Sequence, residues 1–256
     1  MKTYHLSLVF GLLLSVVSTV SNASITPTSK TIEIAIEELM APAMGYDDND
    51  NIQVVVHGSL PNACYNVGKT EFEYVDPQTV LVKQFAIKKL DGICAEERLI
   101  PEHMKVIVPY TSELSMGRMS AADYRFIYID SQGEKKTRPL NVKVADLPAV
   151  DDFNYALVTN ESFSDVYFAQ QEVKVTLTGV LNSSCTELDE GFKVQKEDDV
   201  FVIMPMLKVK KDQFCAQVLR PFSKVVNLGK LPVGHYLVHT RSMNGRSVNR
   251  VFQVVN

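Results

Sequence analysis

Apolar and polar residues alternate along residues 52–60 (IQVVVHGSL) and 172–181 (EVKVTLTGVL), the two-residue period of a strand with one buried face. Further β-rich runs cover 79–87 (TVLVKQFAI), 106–108, 124–129 (YRFIYI), 140–144, 200–206 (VFVIMPM), 236–239 and 250–255. Turn chemistry separates them at Asp76-Pro77, Asp91-Gly92, Gln132-Gly133, Pro232-Val233-Gly234 and Asn244-Gly245. Asn244-Gly245 predicts a tight hairpin, because both central residues of such a turn need positive φ. No long stretch repeats apolar residues at the i, i+3, i+4, i+7 spacing of an amphipathic helix.

The pattern occurs twice. Cys64 and Cys94 lie 30 positions apart, as do Cys185 and Cys215, and the pairs are offset by 121 (Cys64 to Cys185). At that offset Val54, Val56, Gly58 and Leu60 fall on Val175, Leu177, Gly179 and Leu181, and Tyr46 falls on Tyr167. Val80 and Val82 fall on Phe201 and Ile203, and Ile93-Cys94-Ala95 on Phe214-Cys215-Ala216. Past Cys-Ala the register drifts by one, placing Pro101 against Pro221, with extra residues in the first copy around 111–122.

Short strands at regular spacing predict a sandwich or barrel. A copy of about 105–125 residues is the size of one immunoglobulin-like sandwich. The expected fold is all-β, two tandem immunoglobulin-like β-sandwiches with one disulfide each, over 31–148 and 149–256. Four cysteines allow three pairings. Only Cys64–Cys94 with Cys185–Cys215 lets both copies obey one geometry. The join falls at 145–152 (ADLPAVDD), where Pro148 favours a stiff, extended connection.

Composition narrows the classes. Apolar residues make up 46% and charged residues 22% of the chain, the balance of a folded domain. A net charge of −4 with both signs interspersed gives no basic footprint for nucleic acid. Lys2, the apolar run 6–20 and Ser21-Asn22-Ala23 read as a signal peptide over 1–23, followed by an extended arm over 24–30. The run is too short for a membrane span and no second one follows, so the mature chain is expected to be soluble. The even cysteine count fits an oxidising compartment.

The second copy ends Pro221-Phe222, Leu231-Pro232-Val233-Gly234-His235-Tyr236-Leu237-Val238, Asn244-Gly245 and Phe252. With Gly179-Val180-Leu181 and the Cys185/Cys215 pair, this resembles a recurrent immunoglobulin-like β-sandwich of bacterial periplasmic proteins and lipoproteins. That domain carries a G-x-L-P-x-x-C, then C, then L-P-x-G-x-Y-x-V pattern. The first copy keeps Gly58-Ser59-Leu60-Pro61-Asn62-Ala63-Cys64 but lacks the Leu-Pro-x-Gly-x-Tyr, with Tyr124 as the candidate for its tyrosine. The resemblance implies a fold and export to the periplasm or cell exterior. It implies no activity.

Candidate chemistry is sparse. The mature histidines are His57, His103, His235 and His239. On a strand, His235 and His239 stand roughly 13 Å apart at ~3.3 Å per residue, too far to share one ion, and are expected on a solvated face. Asp47-Asp48-Asn49-Asp50-Asn51 supplies the first acidic positions of an EF-hand loop, but Ile52 and Gly58 stand where its Gly and Glu belong. A calcium site of another kind in that loop is left open. No G-x-S-x-G, S-x-x-K, H-E-x-x-H, Walker or dinucleotide motif occurs. The expectation is a non-catalytic module without cofactor or metal, binding another protein or an envelope component through sandwich loops or edge strands. The variable surfaces would be the loops at the four cysteines and residues 111–122, with Tyr65, Tyr110 and Tyr46 as candidate anchors. Half-buried strand-end aromatics are the alternative reading of those tyrosines. Two other classes are open: a secreted protease inhibitor, and a hydrolase using two close carboxylates or a His–carboxylate pair in a cleft between the copies.

Overall fold

The computed structural model describes residues 28–43, 46–190, 192–210 and 214–256. The expected signal peptide and most of the expected arm lie outside the described residues. The arm's last residues, Ser29 and Lys30, already belong to a strand.

The first half contains β1 (Ser29–Ile34), β2 (Glu38–Met40), β3 (Tyr46–Asp47), β4 (Ile52–Leu60) and β5 (Tyr65–Asp76). It continues with β6 (Thr79–Lys89), β7 (Val108–Gly117), β8 (Ala122–Ile129) and β9 (Lys135–Lys143). The second half contains β10 (Leu157–Ser162), β11 (Val166–Phe168), β12 (Glu172–Leu181), β13 (Thr186–Leu188) and β14 (Lys193–Glu197). Then follow β15 (Val200–Met204), β16 (Leu207–Val209), β17 (Arg220–Lys230), β18 (Gly234–Ser242) and β19 (Arg246–Val255). The protein is all-β; its helical turns among the described residues are three short 3-10 segments between β6 and β7.

Each half stacks two sheets. In the first, β2-β4-β7 faces β1-β6-β8-β9-β3, with β5 also paired to β6. In the second, β10-β12-β17 faces β11-β19-β18-β15-β14, with β13 and β16 as a separate small ribbon. The facing sheets enclose one apolar cluster each. The first holds Val54, Val56, Phe126 and Leu140; the second holds Val175, Leu177, Phe201 and Phe252.

The ladders show where the copies correspond. Glu38 pairs His57 as Leu157 pairs Val180, and Tyr46 pairs Val142 as Tyr167 pairs Val254. Gly58 lies across from Tyr110, and Gly179 from Phe222. Ser59 faces Pro109, and Val180 faces Pro221. Pro221 therefore matches Pro109, not Pro101. The first copy's extra residues are the 3-10 segments Glu97–Leu99 and Glu102–Met104 beyond Cys94. Residues 111–117, expected to be an insertion, complete β7 and pair with β4.

Both disulfides form as the repeat requires: Cys64–Cys94 at 5.6 Å and Cys185–Cys215 at 5.4 Å between Cα atoms. The hairpin turn at Asn244-Gly245 has positive φ at both residues (66° and 65°).

Candidate functional site

Strands β4, β15 and β18 carry buried apolar residues on both faces. Val54-Val55-Val56 in β4 is buried throughout, as are Val200 to Met204 of β15 and Tyr236 to Thr240 of β18. In β4, Val54 and Val56 turn to their own core, so Val55 and His57 point out of the sandwich. In β18, Tyr236 and Val238 turn inward, so His235, Leu237, His239 and Arg241 point out. These two outward faces meet. Met40 and Val55 from the first half pack with Val200, Val202, Met204 and Leu237 from the second in one buried cluster that includes Tyr155.

Polar groups surround this patch. On one side the His57 and His235 rings lie 4.6 Å apart between centroids, and His235 Nδ1 sits 3.2 Å from Glu38 Oε1. His57 Nδ1 is 3.4 Å from Thr111 Oγ1. On the other side His239 meets the Tyr46 ring edge-on at 5.8 Å and Asn249 Oδ1 at 2.7 Å. Arg241 lies over the Tyr46 ring at 4.9 Å and donates to Asp50 at 2.9 Å. Arg138 reaches across to Asp199 at 2.6 Å, and Asn249 donates to Glu113 at 2.7 Å.

These surroundings fix the charges. Burial, with His235 beside it, holds His57 below the usual imidazole range. The hydrogen bond His235 donates to Glu38, with the charge of that carboxylate, outweighs desolvation and holds His235 above that range. Burial would raise the Glu38 carboxyl, but His235 more than offsets it and Glu38 lies low. Complete burial, reinforced by Arg241, pushes His239 down to about 3 against a weaker opposing bond to Asn249.

Beside the His57–His235 pair the two halves diverge into a cleft of about 740 Å³. Ile107, Pro109, Val166 and Val251 give it apolar walls. Ser59, Thr111 and Gln253 offer hydrogen-bonding groups, and Glu37, Glu113, Asp165 and Arg250 bring charge. Chemically, His235 Nδ1 is taken up by Glu38, whose carboxylate favours the protonated imidazole. The mixed lining suits capture of an amphipathic ligand.

Of the expected anchors, Tyr110 lines the cleft and Tyr46 meets His239 and Arg241 of the second half, while Tyr65 is at neither place. Tyr46 and Tyr110 are 1% and 5% exposed, and their hydroxyls donate to the carbonyls of Gln53 and Ala35. Both belong to the core cluster of the first half, and Tyr110 also lines the cleft. Tyr65 is half-buried on the core, with the Lys88 ammonium 5.6 Å from its ring. The expectation that His235 and His239 sit on a solvated face is corrected, because that face is covered by the other half. His103 is exposed on a 3-10 turn.

The Asp47–Asn51 loop is engaged as a clasp. Asp50 accepts from the Asp47 amide and pairs with Arg241. Asp48 accepts from the Ala145 amide, and Asn49 donates to the carbonyls of Leu147 and Ala149 in the join. Among the described residues no group of three or more His, Cys, Asp or Glu could hold a metal ion.

The reading of one strand face at a time missed Glu38, Glu113, Asn249 and Arg250. The signal was present: the unbroken apolar runs VVV at 54–56 and VFVIM at 200–204 mark strands buried on both faces.

What fold and disulfides define together is a disulfide-bonded β-sandwich protein. The ORF11 beta-sandwich domain is a family whose model matches residues 175–254, from within β12 to β19. No curated protein and no solved structure matches the chain.

Proposed function

We propose that the chain is an exported, non-catalytic binding protein of two tandem immunoglobulin-like sandwiches, 31–148 and 149–256. Its working surface is the cleft between them, filled by an extended segment of a partner protein. The leader-like first residues and the two disulfides support export. A tyrosine tie supports the immunoglobulin-like reading: Tyr124 and Tyr236, at matching positions, each donate to the carbonyl four residues upstream. The parallel pairs β3–β9, β6–β8, β11–β19 and β15–β18 are departures from an all-antiparallel sandwich.

The cleft is the observation that carries the binding reading. Its lining mixes apolar walls with hydrogen-bonding and charged groups, the mixture an extended peptide presents. The test is a peptide-display library panned on the mature protein, followed by titration of enriched peptides against Thr111→Arg and Val166→Arg. Both residues line the cleft and both positions are solvent-exposed, so the variants should fold. Affinity should fall about tenfold or more, ~1.4 kcal/mol. Enriched peptides that bind wild type and variants equally would sink the proposal.

One observation favours a second reading, a hydrolase. His235 lines the cleft and pairs with the carboxylate of Glu38 behind it, and His57 lies within reach of the Thr111 hydroxyl. Turnover of chromogenic esters, peptides or glycosides that disappears in His57→Gln would establish it in place of binding.

A further inference from the structure

We propose that the interface between the halves is a proton-operated latch, closed near neutral pH and released in mild acid, so that acid opens the cleft. The geometry behind it is a concentration of histidine. Of the four mature histidines, His57, His235 and His239 all stand on the two sheet faces that meet, and His103 alone lies outside. The inference concerns the interface itself and stands whatever fills the cleft.

The charged surroundings decide the direction. His57 faces Glu37 and Glu38 from its own half and His235 from the other. His235 faces Glu38 and Glu37 across the interface. His239 faces Arg241 on its own strand, Asn249 on β19 and the Tyr46 ring across the interface. A proton on His57 would set two imidazolium rings 4.6 Å apart, with one carboxylate bonded to only one of them. A proton on His239 would place a second buried cation beside Arg241. Its Nε2 is buried without a hydrogen-bond partner, so the added N–H would have no acceptor.

Burial holds His57 and His239 below the ordinary imidazole value of about 6.5, so each stabilises the closed state above that value. The contribution is lost as pH falls toward the depressed values. His235 works in the other sense. Its value is raised, so its pairing with Glu38 is complete in mild acid and lost as pH climbs through that raised value. Glu38 is held low, so its carboxylate persists until pH falls below the ordinary carboxyl range. The latch is therefore tightest around neutrality. Each proton taken up on opening multiplies the open population roughly tenfold per pH unit in the acid window. The apolar patch opposes release and sets how far it goes.

The experiment uses two neighbouring residues of β15 that point opposite ways. Val202 belongs to the shared interface cluster and Ile203 to the second half's own core. Val202→Cys and Ile203→Cys are made separately in the mature, disulfide-bonded protein. Labelling of the introduced thiol with 4,4′-dithiodipyridine, which still reacts in acid, is followed from pH 7.5 to 5. In Val202→Cys the labelling rate should rise between roughly tenfold and a hundredfold per pH unit below 6.5, according to whether one or both histidines take up a proton, and in Ile203→Cys it should not change. The acid rise in Val202→Cys should vanish once His57→Gln and His239→Gln are added. Equal acceleration in both thiol variants would mean unfolding, not release, and would overturn the latch. So would a flat rate in Val202→Cys, or an acid rise there that survives removal of both histidines. The double histidine variant fails to fold if, combined with Ile203→Cys, it labels fast at pH 7.5. In that case His57→Gln alone must lower the slope in Val202→Cys.

Discussion

The two copies use one set of ladders and differ most along their second hairpin. In the first copy β5 and β6 form one hairpin from Tyr65 to Lys89, broken only by bulges between Val67 and Thr70 and between Tyr74 and Asp76. In the second, the corresponding residues are split into β13–β16 near the disulfide and β14–β15 farther out. The difference is one residue deep. Gln84 of the first copy is fully buried, and its amide donates to the carbonyls of Gly68, Lys69 and Phe85 while accepting from Thr70. A single side chain thus fills the bulge between Val67 and Thr70 and keeps the strands paired. Pro205 stands at that place in the second copy. Having no N–H, it ends β15 at Met204. The first copy also pairs β1 with β6 over six residues, whereas the second keeps a single bridge, Tyr155 to Met206, at nearly the same register. What survives duplication is the ladder that closes the core. What diverges is the periphery, and here the shortened hairpin leaves Val200, Val202 and Met204 to pack on the other copy.

Removing each disulfide tests the comparison hardest. Both close loops of the same 30-residue separation, so the chain-entropy contribution should match at roughly 3–4 kcal/mol. Cys64 and Cys94 additionally form a buried cluster with Ile100, against which Met104 packs. The Cys64→Ser/Cys94→Ser variant should therefore lose more stability than Cys185→Ser/Cys215→Ser, read from denaturant midpoints. Equal losses would show that the first copy's extra residues contribute no packing.

The paired glycines come next. Both lie beneath an aromatic ring on the neighbouring strand. A Cβ at Gly179 would fall 2.1 Å from the Leu157 carbonyl oxygen and 2.8 Å from the Phe222 ring, whereas one at Gly58 meets only the Tyr110 side chain, at 2.7 Å. Backbone cannot yield as a side chain can. Gly179→Ala should cost ~3 kcal/mol and Gly58→Ala about 1–2 kcal/mol in thermal or denaturant unfolding. A reversed order would mean that β10 is free to move away from β12.

Much of this is legible in the chain. The disulfides, the Asn244-Gly245 turn, and strands β4, β6, β8, β12, β15, β18 and β19 follow from spacing, alternation and turn chemistry. Strand β5 (YNVGKTEFEYVD) escapes because it is exposed along most of its length, so neither face imposes an apolar period. The candidate site escapes for a different reason. Alternation implies one buried and one solvated face, which assigns His235 and His239 to water. Pairing residues as far apart as Glu38 and His235 depends on how two finished sandwiches pack, which no local period encodes.

The smallest effect makes the sharpest test of kinship between the copies. Tyr124 donates to the Ser120 carbonyl at 2.9 Å and Tyr236 to the Pro232 carbonyl at 3.0 Å. Both rings are 6% exposed, and burial raises both phenols. Replacing either with Phe keeps the ring and deletes one hydrogen bond, leaving a carbonyl that has a second lone pair and can turn to solvent. Each change should cost about 1 kcal/mol. The two sites share no partner, so the double variant should lose the sum to within ~0.5 kcal/mol. Denaturation of the four proteins measures this directly. Equal, additive losses would mean that the tie has the same role in both copies, although only the second keeps the Leu-Pro-x-Gly-x-Tyr sequence around it. A loss confined to Tyr236→Phe would instead tie the effect to that local sequence and leave Tyr124 a core aromatic whose hydroxyl is incidental.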